Sequence, residues 1–373
     1  IDFMNNIAAV RKCEEYDYDK VYSCIADIYD RCGGPDVRNR KVLVKPNVLS
    51  DDLPEKCIST HPVVFEAMIR FLQERGATVI AGDSPAVHLR GFKPVKSGLA
   101  EVCRKTGVEW IDFTSRPWEI KLKNGKIKVA AAACEADIII SLPKLKNHEL
   151  VYFTGAVKNT LGLVPGFSKA KQHDLYQNRE GFSRFLLDLA ETITPHFYLM
   201  DGIMGMEGPG PGQGNPVRTG VLIGSTNPVA VDIAGSTIAG YDPLKIPTTR
   251  IAIERQVWLQ SAEEIEFDGP ALSSLVKKDF KRIPLTANRN ISIQFIKKRI
   301  PFLRKLERRP VFIHSNCTGC RECIKICPQN AIEMHPEWQN WVMLTDRKCI
   351  RCFCCSEVCK YHAIKIRVKV FGT

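Results

Sequence analysis

The sequence predicts an α/β fold: a large N-terminal domain on a mostly parallel sheet with flanking helices, then a small α+β domain. Three observations predict it. Short apolar runs alternate with amphipathic stretches over the first 250 residues, as strands that feed helices do. Of 15 cysteines, nine lie between Cys317 and Cys359. Charge is divided unevenly. Residues 277–309 hold 12 Lys and Arg against 2 acids, residues 310–373 hold 9 against 5, and residues 1–276 come to −2 of the overall +12. The chain therefore divides into an α/β domain at 1–270, a basic connector at 271–310 and a cysteine-rich domain at 311–373.

Taken in order, 41–44 reads as a buried strand. Residues 61–75 read as an amphipathic helix with Val64, Met68, Phe71 and Leu72 on one face, stopped by Gly76. Thr60 is its expected cap. Strands follow at 78–81, 108–113 and 137–142, with a short helix at 99–106. Residues 119–129 alternate polar and apolar around Asn124-Gly125, which predicts a hairpin added antiparallel to the sheet. A helix at 181–193, strands at 197–200 and 219–223, and a helix at 229–238 complete the domain. The connector, broken by Pro284, Pro301 and Pro310, has room for one amphipathic helix at 293–306.

With 373 residues, 45% hydrophobic and 25% charged, the chain has apolar material for a sizeable core, which excludes disorder as its main state. No run approaches the roughly 20 apolar residues of a membrane-spanning helix. Ile1-Asp2-Phe3-Met4 shows no basic segment followed by an apolar one, so no secretory signal is expected, although an initiator Met is also missing. Clustered cysteines without such a signal read as metal ligands held reduced, which points to a cytoplasmic, anaerobic or microaerobic setting.

The strongest motif is a repeat. Cys317, Cys320, Cys323 and Cys327, followed by Pro328, fit C-x2-C-x2-C-x3-C-P. Cys349, Cys352, Cys355 and Cys359 repeat the spacing, with Lys360 in the proline's place. Three cysteines at intervals of three wrap a loop around one 4Fe–4S cube, and the fourth ligates the other cube. Cluster 1 is thus assigned to Cys317, Cys320, Cys323 and Cys359, and cluster 2 to Cys349, Cys352, Cys355 and Cys327. Zinc knuckles also use C-x2-C pairs, but eight cysteines at this tight double spacing favour cubes. Cys354 falls outside the repeat and reads as a spare thiol. Cys13, Cys24, Cys32, Cys57, Cys103 and Cys134 lack ligand spacing and read as buried free thiols.

In the large domain, polar groups recur just after the predicted strands, where ligands of α/β proteins bind. Lys45, Asp83, Lys144, Lys146, Asp201 and Glu207 would then meet in one cleft. The small residues of 154–162 leave space for a ligand near Lys158 and Asn159, and Asn227 to Asp232 open a helix whose N–H groups can face an anion. The candidate catalytic residues are Asp83, His148 and Glu207. The candidate anion-binding residues are Lys45, Asn47, Lys144, Lys146, Lys158, Asn159, Asp201 and Asp232. Plainer readings stand beside these. Lys45 and Asn47 can finish a strand, Asp83 can be a turn acid, and His61 and His148 can simply pack. Glu207 can sit in a flexible connection or a lid, and Asn227 can be only a cap. No G-x-G-x-x-G follows the first strand, and neither a P-loop nor a nucleophile elbow is present.

The ordered set Lys45-Pro46-Asn47, Gly82-Asp83-Ser84, Pro143-Lys144 with Lys146 and His148, Thr154-Gly155 with Lys158, Asn159 and Gly162, Asp201-Gly202, and Asn227-Pro228 with Asp232 resembles the DUF362 family. The resemblance covers about 40–250, and the tail resembles bacterial two-cluster ferredoxins. It implies single-electron transfer through two 4Fe–4S clusters, and it names no reaction. One reading is a ferredoxin-coupled reductase acting on a small anionic substrate or cofactor at the sheet edge. The other is an electron-transfer subunit or adaptor that docks a redox partner, with an acidic one matching the basic connector. Nucleic-acid or membrane-surface binding by the basic run is the weakest, since Phe280, Phe295 and Phe302 are its only aromatic residues and no nucleic-acid fold accompanies it. Nothing in the sequence names a further cofactor such as a flavin.

Overall fold

A computed structural model describes residues 5–86, 91–166, 168–176, 178–285 and 308–368. Its strands in the large unit are β1 (Ile7–Lys12), β2 (Lys41–Pro46), β3 (Thr78–Ala81), β4 (Glu109–Trp110), β5 (Pro117–Leu122), β6 (Gly125–Ala130), β7 (Ile138–Leu142), β8 (Lys144–His148), β9 (Tyr152–Thr154), β10 (Phe197–Glu207), β11 (Asn215–Ser225) and β12 (Glu266–Asp268). The helices that matter for packing begin with α1 (Tyr18–Arg31), α2 (Pro62–Glu74), α3 (Leu99–Thr106), α4 (Ala131–Glu135) and α5 (Ala156–Asn159). They continue with α6 (Ser168–Leu175), α7 (Arg179–Thr192), α8 (Pro228–Ile238), α9 (Pro247–Glu254) and α10 (Leu272–Leu275).

The main sheet runs β12-β1-β11-β10-β7-β2-β3-β4, with β8 beside β10 and β9 beside β8. The stretch β10-β7-β2-β3-β4 is parallel, and β11 is antiparallel to both β1 and β10. Alternation along the strands sends side chains to two helical layers. Val42, Val44, Ile138 and Ile140 pack with Ile25, Phe65, Met68 and Phe71 of α1 and α2. Leu43 and Ile139, one residue out of phase, pack with Phe182, Phe185 and Leu186 of α7. A sheet covered on both faces needs the continuous apolar strands that the sequence shows.

Three expectations change here. The hairpin β5–β6 forms its own two-stranded sheet and does not extend the main one. His61, not Thr60, caps α2, its Nδ1 accepting from Val63 N. Thr60 instead bridges β2 to β7, its hydroxyl accepting from Asn47 N and donating to the Leu142 carbonyl. Of the six cysteines outside the tail, Cys134 is exposed and Cys24 half-buried. The helix expected at 293–306 lies outside the described residues.

The small C-terminal unit holds β13 (Arg308–Phe312), α11 (Glu322–Lys325), β14 (Ile332–Met334), β15 (Val342–Leu344), α12 (Cys354–Glu357) and β16 (Ile364–Val368). Its hairpins pair β13 with β16 and β14 with β15. Among the described residues no helix is long and apolar enough to cross a membrane.

Candidate functional site

The penultimate residue of β2 is a fully buried lysine. Lys45 Nζ lies 2.8 Å from Asp83 Oδ1 and donates at 3.1 Å to Asn159 Oδ1 and to the Pro46 carbonyl. Burial draws its pKa down, and Asp83 opposes that shift. Asp83 Oδ2 accepts from Val48 N at 2.6 Å, and Asn47 Nδ2 donates to the same Asn159 oxygen at 3.1 Å. Asn159 completes the junction by donating to Ser141 of β7. The pair needs a neighbour without a side chain, because a Cβ on Gly162 would collide with both Asp83 and Lys45. Gly155 similarly makes room for Asp232. The small residues of 154–162 therefore accommodate the protein's own charged groups. Asp232 accepts from the N–H groups of Ala156 and Val157. Its pKa is pushed up to about 7 by burial, against those two bonds. The N-terminus of α8 is closed by Asn227, which accepts from Val229 and Ala230.

A second polar network lies apart from the first. Residues 143–148, expected as a loop, contain β8, so Lys144 pairs in register with Asp201 of β10. Lys144 Nζ donates to Asp201 Oδ2 at 2.7 Å and to Tyr16 Oη at 2.9 Å. Tyr16 donates to the other Asp201 oxygen at 3.0 Å and stacks on His61, ring centroids 3.5 Å apart. Lys146 donates to the Ile58 carbonyl at 2.6 Å. Glu207 ends β10 and accepts from Lys281 N at 2.9 Å. It belongs to the β10–β11 ribbon, which replaces the expected lid or flexible connection.

The sheet edge and the C-terminal unit form the walls of a cavity of about 70 Å³. Asn47, Asp83, Lys158 and Asn159 line it from the predicted set, joined by Lys169 and His173 of α6. Ile326, Cys354, Glu357 and Val358 close it from the C-terminal side. Lys144, Lys146, Asp201, Glu207 and Asp232 do not line it. His148 reaches it indirectly. Its Nδ1 accepts from Leu150 N, and its Nε2 lies 3.2 Å from Glu357 Oε1. Burial lowers His148 to about 4, so at neutral pH the ring is uncharged with its proton on Nε2, facing the carboxylate. Burial disfavours ionised Glu357, but His148 and Lys158 outweigh it and hold the acid down at about 2. Burial brings Lys169 down to about 7, poised to release or take a proton, while its Nζ donates to the carbonyls of Ser84 and Pro85. Burial also lowers His173 to about 4.

Sequence reasoning missed Lys169, His173 and Glu357. The i, i+4 spacing of Lys169 and His173 places both on one helix face. Glu357 was legible only as a residue between two cysteine ligands. Further contacts hold the units together: Arg308 Nη1 lies 2.5 Å from Glu149 Oε2, and Gln213 donates to the Ser356 carbonyl at 2.5 Å.

The C-terminal cysteines ring two cavities. One is lined by Cys317, Cys320, Cys323 and Cys359, the other by Cys327, Cys349, Cys352 and Cys355 together with Cys354. Positive φ recurs at matching places in the repeat: Gly319 and Arg351, Arg321 and Phe353, Asn330 and His362. Such turns let each loop curl around its cavity. The fourth cysteines also match, since Cys327 Sγ accepts from Ala331 N at 3.2 Å and Cys359 Sγ from Ala363 N at 3.3 Å. Among the described residues no three His, Cys, Asp or Glu close up as ligands of a single ion. Thiols spread around a cavity fit the corners of a cube, where tetrahedral zinc takes its ligands at one centre.

A family model described as a domain of unknown function, DUF362, matches residues 42–237, more than half of the chain. The chain belongs to the DUF362 family. Residues 316–366 match a 4Fe-4S dicluster domain, which gives this DUF362 protein an iron–sulfur electron-transfer role. A thylakoid-associated protein of Synechocystis sp. is 32% identical over 243 residues, covering 65% of this chain and 75% of that protein. Among solved structures, the lactate racemase apoprotein of Thermoanaerobacterium thermosaccharolyticum aligns at 12% identity and a TM-score of 0.44, covering 64% of this chain and 58% of the racemase. A Thermotoga maritima protein aligns at 14% identity and a TM-score of 0.35, covering 55% of each chain.

Proposed function

We propose that this DUF362 protein is an iron–sulfur reductase that delivers single electrons to an anionic substrate or cofactor in the cavity between its two units. The observation that carries it is the shared wall: Lys158 of α5 and Asn47 at the sheet edge face Cys354 and Glu357, which flank the ligand cysteines Cys352, Cys355 and Cys359. Cys327, Cys349, Cys352 and Cys355 would hold the inner cube, and Cys317, Cys320, Cys323 and Cys359 the outer one. Each 4Fe–4S cube, when bound, stores and releases one electron. Lys158 supplies positive charge for the bound group, and Lys169 and His173 are placed to hold or move a proton. Housing donor and acceptor in one chain raises their effective concentration.

Native mass spectrometry of protein purified without oxygen should give the chain plus two cubes. The protein is then reduced and mixed with the small-molecule fraction of an anaerobic lysate. Reoxidation by that fraction should slow at least about tenfold in Lys158→Ala, with the cluster spectra unchanged. Equal rates in both proteins would sink the site assignment.

A second reading, an electron-transfer subunit that docks a redox partner without catalysis of its own, draws on the outer face. Cys320 is exposed. The adjacent Gly319 packs against the loop carrying Trp338, which is 50% exposed and stacks on Trp341 with centroids 4.2 Å apart. An acidic carrier steered by the basic connector would exchange electrons more slowly as salt rises. A rate indifferent to ionic strength counts against it.

A further inference from the structure

We propose that the group held in the interface cavity is a small organic monocarboxylate that also carries a hydroxyl or amino hydrogen-bond donor and an apolar flank. The inference rests on the reading of this cavity as the ligand site, and it names the ligand's class.

Charge sets the first requirement. Lys45 and Asp83 form a 2.8 Å pair and cancel. Glu357 is taken up by His148, whose Nε2 lies 3.2 Å from its Oε1. Lys169 is occupied by two carbonyls. Among the described residues the Lys158 ammonium has no hydrogen-bond partner and no ion pair, although it lines the cavity. With those groups paired, the Lys158 ammonium leaves one uncompensated positive charge on the cavity wall. A single carboxylate closes that balance, and a phosphate dianion overshoots it.

Unpartnered atoms set the second. The Asn47 side chain donates through Nδ2 to Asn159, and its Oδ1 is buried without a donor. His173 Nδ1 is likewise buried and without a partner. Buried acceptors left unmade are costly, so the occupant must offer an O–H or N–H as well as accept from Lys158. The remaining wall sets the third: Leu49, Leu161, Ile326 and Val358 present hydrocarbon, which favours an apolar flank on the ligand.

The test is calorimetric titration of the oxidised, anaerobically purified holoprotein with four probes sharing a phenyl body. Mandelate and tropate carry a carboxylate and a hydroxyl at two spacings, phenylacetate lacks the hydroxyl, and phenyl phosphate is a dianion. One of the two hydroxy acids should bind at least about tenfold more tightly than phenylacetate and phenyl phosphate. Asn47→Ala should bring it down to the level of phenylacetate, and Lys158→Met should remove binding of all three carboxylates. Tighter binding of phenyl phosphate, equal binding with and without the hydroxyl, or no binding of either hydroxy acid would overturn the proposal. Because titration needs no electrons, the two readings fail separately. Hydroxy-acid binding without any reoxidation of the reduced protein overturns the reductase alone. Reoxidation by a lysate fraction with neither hydroxy acid bound overturns the ligand class alone.

Discussion

Asp83 is the residue on which the sheet edge depends. It faces a lysine with no exposed surface, and it also binds Val48 N. Breaking a buried pair on one side leaves an uncompensated charge, at about 3–5 kcal/mol. Asp83→Asn is therefore expected to lower unfolding stability by that order in a urea titration, and a change below about 1 kcal/mol would refute the role given to the pair. Asp83 and Lys45 were both legible as residues after or at the end of strands. Their pairing was not, because 38 positions separate them and only the parallel register of β2 and β3 brings them together. Lys169 was overlooked for a related reason: its low pKa comes from burial under groups distant in sequence.

At the element scale, the strand between Pro143 and Glu149 decided most of the departures from expectation. A Lys-rich hexapeptide reads as a loop, yet β8 is buried along its whole length. It is held by β10 on one side and β9 on the other. Buried backbone groups need partners, and a ladder supplies them where a loop would not. The consequence is that Lys144 serves an ion pair and Lys146 a carbonyl, both away from the cavity. The short helical turn Thr160–Leu163 that follows α5 matters equally, since it brings Gly162 against the Lys45–Asp83 pair. Gly162→Ala places a methyl group where those side chains sit. The expected loss is about 1–3 kcal/mol, the usual cost of overpacking, read from the urea midpoint. An unchanged midpoint would show that the pair can shift freely.

At the scale of the whole molecule, neutral histidines are buried within the large unit and at its junction with the C-terminal unit, and acid should weaken the fold. His61, His148 and His173 are each lowered from 6.5 to about 4 by burial. Below pH 6.5 the unfolded chain binds protons that the folded one does not, so the stability present above that pH is lost as pH falls toward 4. Asp232 acts in the opposite sense. Its pKa is raised from 3.8 to about 7, so its ionisation penalty is relieved as pH falls below 7. Three histidines outweigh one aspartate, and the urea midpoint is expected to decline between pH 6 and pH 5. A flat or rising midpoint over that range would contradict the burial of these rings.

The sequence by itself determined the α/β class, most strand and helix positions in the large unit, and the cysteine repeat of a dicluster domain. These are local properties: hydrophobic period selects the element, and ligand spacing encodes a loop that can wrap a cube. Only the tertiary structure decided which polar residues face the cavity and which are consumed by the protein's own pairs. It also added Glu357, from the far end of the chain, to a wall built by Lys158 and Asn47. Charge and hydrogen-bond partners are set by register and by docking of one unit on another, and neither leaves a mark in the spacing of neighbouring residues.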